Sequence, residues 1–225
     1  MKKRLLTVGD SFTYGDELDD IYAAWPYRLA SLLDYQVVNL GQSGCSNTSI
    51  LRRTISEVVN TPESYDLVVI GWTSPGRIEW KDHVGVAYDI WPGFQVRGDF
   101  FEMHPWREEL VTYLNKYHNV EYLFEQYVIN VLSLQSYLKA NNISYVMLDI
   151  TGKDYYKKSS PPDTQLIQQI DKNNFIGWGW DGVGMTEMAK GCPRGPKGHP
   201  LAEGHQKIAN QIYTFINDNK DLNSR

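Results

Sequence analysis

The stretch Arg4-Leu5-Leu6-Thr7-Val8-Gly9-Asp10-Ser11-Phe12-Thr13-Tyr14-Gly15 decides how the rest of the chain is read. A short apolar run stops at a glycine and passes at once into acidic and hydroxyl side chains. That is the pattern of a buried strand feeding a tight turn. The preceding Lys2-Lys3-Arg4 gives it the outline of a secretory leader. However, the apolar part spans only residues 5–8 and Asp10 follows directly, which is too short for the apolar core of a leader. The expectation is a cytoplasmic protein with no signal peptide or transmembrane segment, with a virion component or lysis-released protein kept open.

Working outward, similar runs recur at residues 36–40, 67–70 and 144–150, with a weaker one at 174–176. Each of the stronger runs is Leu-rich or β-branched and ends near Gly, Asp or Thr. Helical stripes lie between them. Trp25, Leu29, Leu32 and Leu33 keep one face, with Pro26 suited to a first turn. Ile50, Leu51, Thr54, Ile55, Val58 and Val59 keep another, with Asn47 placed as an N-cap. A longer stripe runs from Val120 to Leu138, and a last one joins Ile208, Ile212, Phe215 and Ile216. Alternating strands and helices predict an α/β fold, a parallel sheet covered by helices on both faces. Residues 76–119 and 151–196 are too long for simple connections and read as insertions, as functional loops or lids, within one domain spanning 1–225.

Composition narrows the functional classes. The net charge of −5 and the lack of a basic stripe argue against nucleic-acid binding. No run is long enough to span a membrane. Two cysteines, Cys45 and Cys192, cannot by themselves build a four-ligand zinc site, and free thiols are expected. Asp82, His83 and His104 are metal-capable, but no spacing ties them to one face. No metal and no organic cofactor is expected. Aromatic residues reach 13%. Several crowd the first insertion, where they suit a lid, a sub-core or a platform for stacking sugars.

In a parallel sheet, ligands bind beyond the carboxyl ends of the strands. The turns there are Gly9-Asp10-Ser11, Gly41-Gln42-Ser43-Gly44 and Gly71-Trp72-Thr73-Ser74. Ser11, at a strand-to-helix turn, can offer both a hydroxyl and a free backbone N–H. His199 heads the last helical segment in His199-Pro200-Leu201-Ala202-Glu203-Gly204-His205 and could return to the first strand end. A serine needs such a base, because its own hydroxyl is a weak nucleophile.

These blocks resemble the SGNH (GDSL-type) hydrolase superfamily. Gly9-Asp10-Ser11 matches its first block, Val37-Val38-Asn39-Leu40-Gly41-Gln42-Ser43-Gly44 is similar to its second, and the run from His199 to His205 matches its last. The resemblance implies a three-layer α/β/α sandwich on a flavodoxin-like five-stranded sheet of order 2-1-3-4-5. It also implies Ser11 as nucleophile, His199 as base, His205 as a supporting residue and the Gly44 N–H in the oxyanion hole. Two positions depart from the pattern. The third block usually carries an Asn where this chain has Thr73, so Thr73 or Asn47 is expected to complete the oxyanion hole. The acid usually found three residues before the histidine is replaced by Pro196. The orienting acceptor is then expected from the Pro196 carbonyl, Asp181 or Glu187. The function implied is hydrolysis of an ester, with a carbohydrate O-acetyl ester as the leading substrate. The alternatives are an acyltransferase, or a glycan-binding or virion structural protein that has lost turnover.

Overall fold

Leu5 and Leu6 show how the sheet is built. Side chains alternate across a strand, and these neighbours enter opposite cores, both with no exposed surface. A computed structural model describes residues 2–61, 65–81, 87–90, 107–117, 119–150, 164–178 and 182–219. The strands are β1 (Arg4–Gly9), β2 (Gln36–Gly41), β3 (Leu67–Trp72), β4 (Ile78–Lys81), β5 (Ala87–Ile90), β6 (Ser144–Asp149) and β7 (Phe175–Ile176). The helices are α1 (Ser11–Tyr14), α2 (Trp25–Leu33), α3 (Asn47–Asn60), α4 (Arg107–Tyr117), α5 (Val120–Ala140), α6 (Thr164–Gln168), α7 (Met185–Met188) and α8 (Ala202–Asp218).

Five strands form one parallel sheet in the order β2-β1-β3-β6-β7. Leaving out the separate antiparallel hairpin β4–β5, this is the expected 2-1-3-4-5 arrangement. β3 and β6 are buried along their whole length, as strands covered on both faces must be. On one face, Leu6, Val8, Val68 and Ile70 pack with Ile50 of α3 and Phe124, Val128 and Val131 of α5. On the other, Leu5, Val69 and Val146 pack with Trp25 and Leu29 of α2 and Ile208 and Ile212 of α8.

The helix starts differ from expectation in one place. Ser46, not Asn47, caps α3, its hydroxyl accepting the Ser49 N–H at 3.2 Å. Asn47 is therefore the first helical residue and its amide is free for other work. The two insertions also contain regular structure. The described part of the first holds the hairpin β4–β5 and α4, and the described part of the second holds α6, β7 and α7. The hairpin lies at the carboxyl end of the sheet, where Asp89 accepts the Ser46 N–H at 2.9 Å and Glu79 pairs with Arg52 of α3.

The seat of α1 is set by glycines. Gly9 lies in register with Gly41 on one side and Gly71 on the other, a row of three across the carboxyl end of the sheet. A Cβ on Gly9 would stand 2.2 Å from Thr13 Oγ1, and one on Gly41 would stand 2.3 Å from the Tyr14 nitrogen. Only bare backbone lets this short helix, which begins with Ser11, drop onto the strand ends.

Candidate active site

Ser11 is the first residue of α1 and 6% exposed. Its N–H has no acceptor within the helix, as for every residue of a first turn. Asp10 caps the helix, its Oδ1 accepting the Phe12 N–H at 3.0 Å. The other oxygen of Asp10 accepts the Thr73 hydroxyl at 2.7 Å and Arg77 Nη1 at 2.8 Å. Arg77 Nη1 also donates to the Cys45 carbonyl at 3.2 Å. One guanidinium thus braces the turn before Ser11 against the turn after Gly44.

Gly44 occupies the third position of a turn closed by the Cys45 N–H on the Gln42 carbonyl at 3.2 Å. Its φ of 78° is the conformation such a turn demands. A Cβ there would meet nothing within 4 Å. The glycine therefore answers a backbone need and borders open space.

The acceptor for His199 is Glu17, a residue the sequence reading did not single out. Glu17 Oε2 stands 2.8 Å from His199 Nδ1 and also accepts the His199 backbone N–H at 3.1 Å. Glu17 Oε1 accepts the Lys197 N–H at 2.7 Å. Neither Pro196 nor Glu187 fills the place expected of it. Glu187 folds back to accept the Gly184 N–H at 2.9 Å at the start of α7. Asp181 lies outside the described residues. Pro196 belongs to the loop that turns the Lys197 and His199 N–H groups toward the carboxylate. That loop is closed by Gly195 N–H on the His199 carbonyl and Gly198 N–H on the Gly195 carbonyl, each 2.9 Å.

Glu17 is held firmly. Burial raises its carboxyl pKa, but the N–H groups of Lys197 and His199 and the imidazole together bring it below the ordinary glutamate value. Its φ of 66° is a left-handed conformation that a non-glycine residue adopts at a cost. Gly195 lies against it: a Cβ there would stand 2.6 Å from Glu17 Cδ.

His199 is 16% exposed, and its ring packs edge-on to Phe12 with centroids 5.8 Å apart. The imidazole therefore lies against the residue that follows Ser11. Nε2 is 3.9 Å from Asp16 Oδ2, beyond hydrogen-bond range. Asp16 in turn accepts the Ser43 hydroxyl.

The two expected oxyanion side chains are engaged with each other and with Asp10. Asn47 clasps the Thr73 backbone, its Oδ1 accepting the Thr73 N–H at 2.9 Å and its Nδ2 donating to the Thr73 carbonyl at 3.0 Å. With the Thr73 hydroxyl given to Asp10, Thr73 does not match the donor role expected of it. Asn47 retains a second amide hydrogen.

The supporting His205 is fully buried, and its Nδ1 accepts the Trp25 N–H at 3.2 Å. It stands in for the side-chain cap that Ala24 cannot give α2. Burial, aided by the charges of His199 and Arg28, pushes its pKa down to about 4, so it stays neutral near pH 7. Cys45 and Cys192 are free and buried. Burial first, then Asp89, pushes the Cys45 thiol up to about 11, which leaves it protonated and inert. Among the described residues, no group of three or more His, Cys, Asp or Glu is placed to hold a metal ion, and no helix is long and apolar enough to cross a membrane.

Solved structures similar to this chain carry the same fold. A psychrotrophic esterase from Pseudoalteromonas sp. is 17% identical, with 99% of this chain and 100% of that one covered at a TM-score of 0.57. A lipolytic protein of the G-D-S-L family from Desulfitobacterium hafniense DCB-2 is 15% identical, with coverage of 95% and 99% and a TM-score of 0.54. A catalytic mutant of an acetylxylan esterase from Geobacillus stearothermophilus is 16% identical, with coverage of 95% and 94% and a TM-score of 0.53. No curated protein matches the sequence. The chain belongs to the family described as Family of unknown function (DUF6071), whose profile matches residues 15–224. That match includes Glu17, Gly44 and His199.

Proposed function

We propose that this protein is a serine esterase in which Ser11 attacks the ester carbonyl, His199 takes the serine proton, and Glu17 orients and stabilises the imidazole. The observation that carries the reading is the 2.8 Å contact of Glu17 with His199 Nδ1. An acceptor at Nδ1 keeps the proton there and leaves Nε2 unprotonated to act as base. A carboxylate also offsets the imidazolium charge that develops during attack, which a neutral carbonyl does poorly. The Ser11 N–H and Gly44 N–H stabilise the oxyanion, with the remaining Asn47 amide hydrogen as the third donor. Collapse of the tetrahedral intermediate expels the alcohol, which His199 protonates. Water, deprotonated by the same imidazole, then releases the acid and restores Ser11.

The proposed substrate is a carbohydrate O-acetyl ester, making the reaction a deacetylation. The aromatic side chains of the first insertion support this, as does the fold shared with an acetylxylan esterase. Two observations favour a second reading, a glycan-binding protein without turnover. The Thr73 hydroxyl is spent on Asp10, and among the described residues no hydrogen bond joins Ser11 to His199. Such bonds tighten in many hydrolases only when substrate arrives. The test is turnover of 4-nitrophenyl acetate. The esterase reading expects measurable hydrolysis that Ser11→Ala reduces by several orders of magnitude. Wild-type hydrolysis no faster than buffer would leave the binding-protein reading.

A further inference from the structure

A cavity of about 210 Å³ opens between the hairpin β4–β5, the start of α3, and helices α4 and α5. Neither Ser11 nor His199 lines it. Its aromatic walls are Trp80, Tyr113 and Tyr122, with the Trp80 and Tyr113 rings edge-on at a 5.6 Å centroid separation. Tyr113 and Tyr122 are 40% and 55% exposed, so both rings keep area that a ligand can cover. The side-chain amides of Gln126 and Asn130 also line it and supply donors and acceptors together.

The charge in this cavity is internally balanced. Arg77 is paired with Asp10 at 2.8 Å, and Glu79 with Arg52 at 2.5 Å. A charged ligand would find no unmatched partner on these side chains and would lose hydration on entering. The volume is well below that of a drug-sized pocket. Apolar ring faces beside uncharged amides, in a space of this size, suit a neutral ring that has one apolar face and a rim of hydroxyls.

We propose that this cavity is a subsite for one neutral sugar ring, engaged when the ester lies at Ser11. The proposal rests on the esterase reading for its role but not for its binding chemistry. Arg77 supplies the link: it lines the cavity and reaches both Asp10, next to Ser11, and the Cys45 carbonyl, next to Gly44. Arg77 thus ties the cavity lining to the turns that carry Ser11 and Gly44. Binding of the unreactive ring would help position the ester-bearing one.

The experiment titrates xylotetraose and mannotetraose, both unacetylated, into the Ser11→Ala protein and into the wild type, followed by calorimetry and tryptophan fluorescence. Tetragalacturonate serves as the charged comparison. We expect at least one neutral oligosaccharide to bind both proteins equally and to change the fluorescence. Tetragalacturonate should bind at least about tenfold more weakly. Tyr113→Ala and Gln126→Ala should each weaken the neutral ligand about tenfold or more while keeping the wild-type circular dichroism spectrum. Using both variants covers the case in which one fails to fold. Absence of binding by both neutral sugars would overturn the proposal. So would preferred binding of tetragalacturonate, or undiminished binding by folded Tyr113→Ala and Gln126→Ala. Aryl acetate turnover by the wild type is read separately, so failure of the subsite and failure of the esterase chemistry give different results.

Discussion

Asp10 and Glu17 stand on either side of Ser11 in the chain, and the fold uses them in opposite ways. Asp10 is 1% exposed and is cross-linked by side chains, the Thr73 hydroxyl and Arg77 guanidinium, to the loop between β3 and β4, 63 and 67 residues away. Glu17 is held by backbone N–H groups of the Lys197–His199 loop, and its side-chain partner is the imidazole. A carboxylate gripped by an arginine in the interior is a brace: its charge is neutralised where it sits. A carboxylate gripped by neutral backbone dipoles keeps its charge available to whatever faces it, here His199. The difference between a brace and a partner for the imidazole thus lies in what satisfies the carboxylate's remaining lone pairs, and not in residue type or distance from the serine.

The change expected to separate the two most strongly is Glu17→Gln. The amide can occupy the same space but cannot offset an imidazolium, and by donating an N–H to Nδ1 it can select the wrong imidazole tautomer. A comparable Asp-to-Asn change in a full triad costs about 10⁴-fold in kcat, and a loss of that order is expected here in 4-nitrophenyl acetate turnover. The pH behaviour follows from the lowered Glu17 pKa. A carboxylate with a depressed folded pKa contributes stability that is present above its unfolded value and is lost as pH falls through the folded one. Urea midpoints of the wild type should therefore drop on acidification through that window, and Glu17→Gln should flatten this part of the drop. A variant that keeps wild-type kcat would assign Glu17 to structure alone.

Asp10→Asn should give the complementary result. Asparagine still caps α1, but the Arg77 charge is left without its buried counterion. Breaking a buried pair from one side costs about 3–5 kcal/mol, which urea unfolding would register as a large fall in midpoint. In the protein that remains folded, kcat should fall much less than in Glu17→Gln. If Asp10→Asn instead loses turnover by thousands-fold at unchanged stability, the brace and the partner have been assigned the wrong way round.

The sequence makes these two roles hard to tell apart for a physical reason. The sheet was legible because buried parallel strands must be continuous apolar runs, as at residues 67–70 and 144–150, and because the glycines that end them must admit α1. The hairpin β4–β5 was not, since its two strands of four residues mix charged, aromatic and aliphatic side chains without a strong period. Ser11, Gly44 and His199 could be singled out because local turn chemistry and known block order mark them. The carboxylate beside His199 could not be found by looking in the neighbouring loop, because the contact joins residues 182 apart. Arg77, 67 residues from Asp10, is hidden in the same way. The available signal for Glu17 was its position just past the Ser11 turn, together with the Gly-Pro-Lys-Gly-His loop, whose glycines let two N–H groups converge on one anion.

Gly195→Ala tests the seat of Glu17 without altering its chemistry, and its expected effect is the smallest. The added Cβ would lie 2.6 Å from Glu17 Cδ and 2.7 Å from Oε1, too close for either to remain in place. Gly195 is not among the glycines with positive φ, so the cost of alanine comes from these contacts and not from its own backbone. A third contact, 2.8 Å from Glu17 Cβ, presses on Glu17 next to its own backbone, so the urea midpoint should fall as the carboxylate shifts. A displacement near 1 Å at a catalytic group costs on the order of 10²-fold, and kcat for 4-nitrophenyl acetate should fall by up to about that factor. KM should change little, since no group that touches the substrate has moved. The pairing with Glu17→Gln makes the result decisive. In a Glu17→Gln background the carboxylate's charge is already gone, so adding Gly195→Ala should cost much less than it does alone. Fully additive losses in that double variant would mean that Gly195 acts on turnover through something other than Glu17.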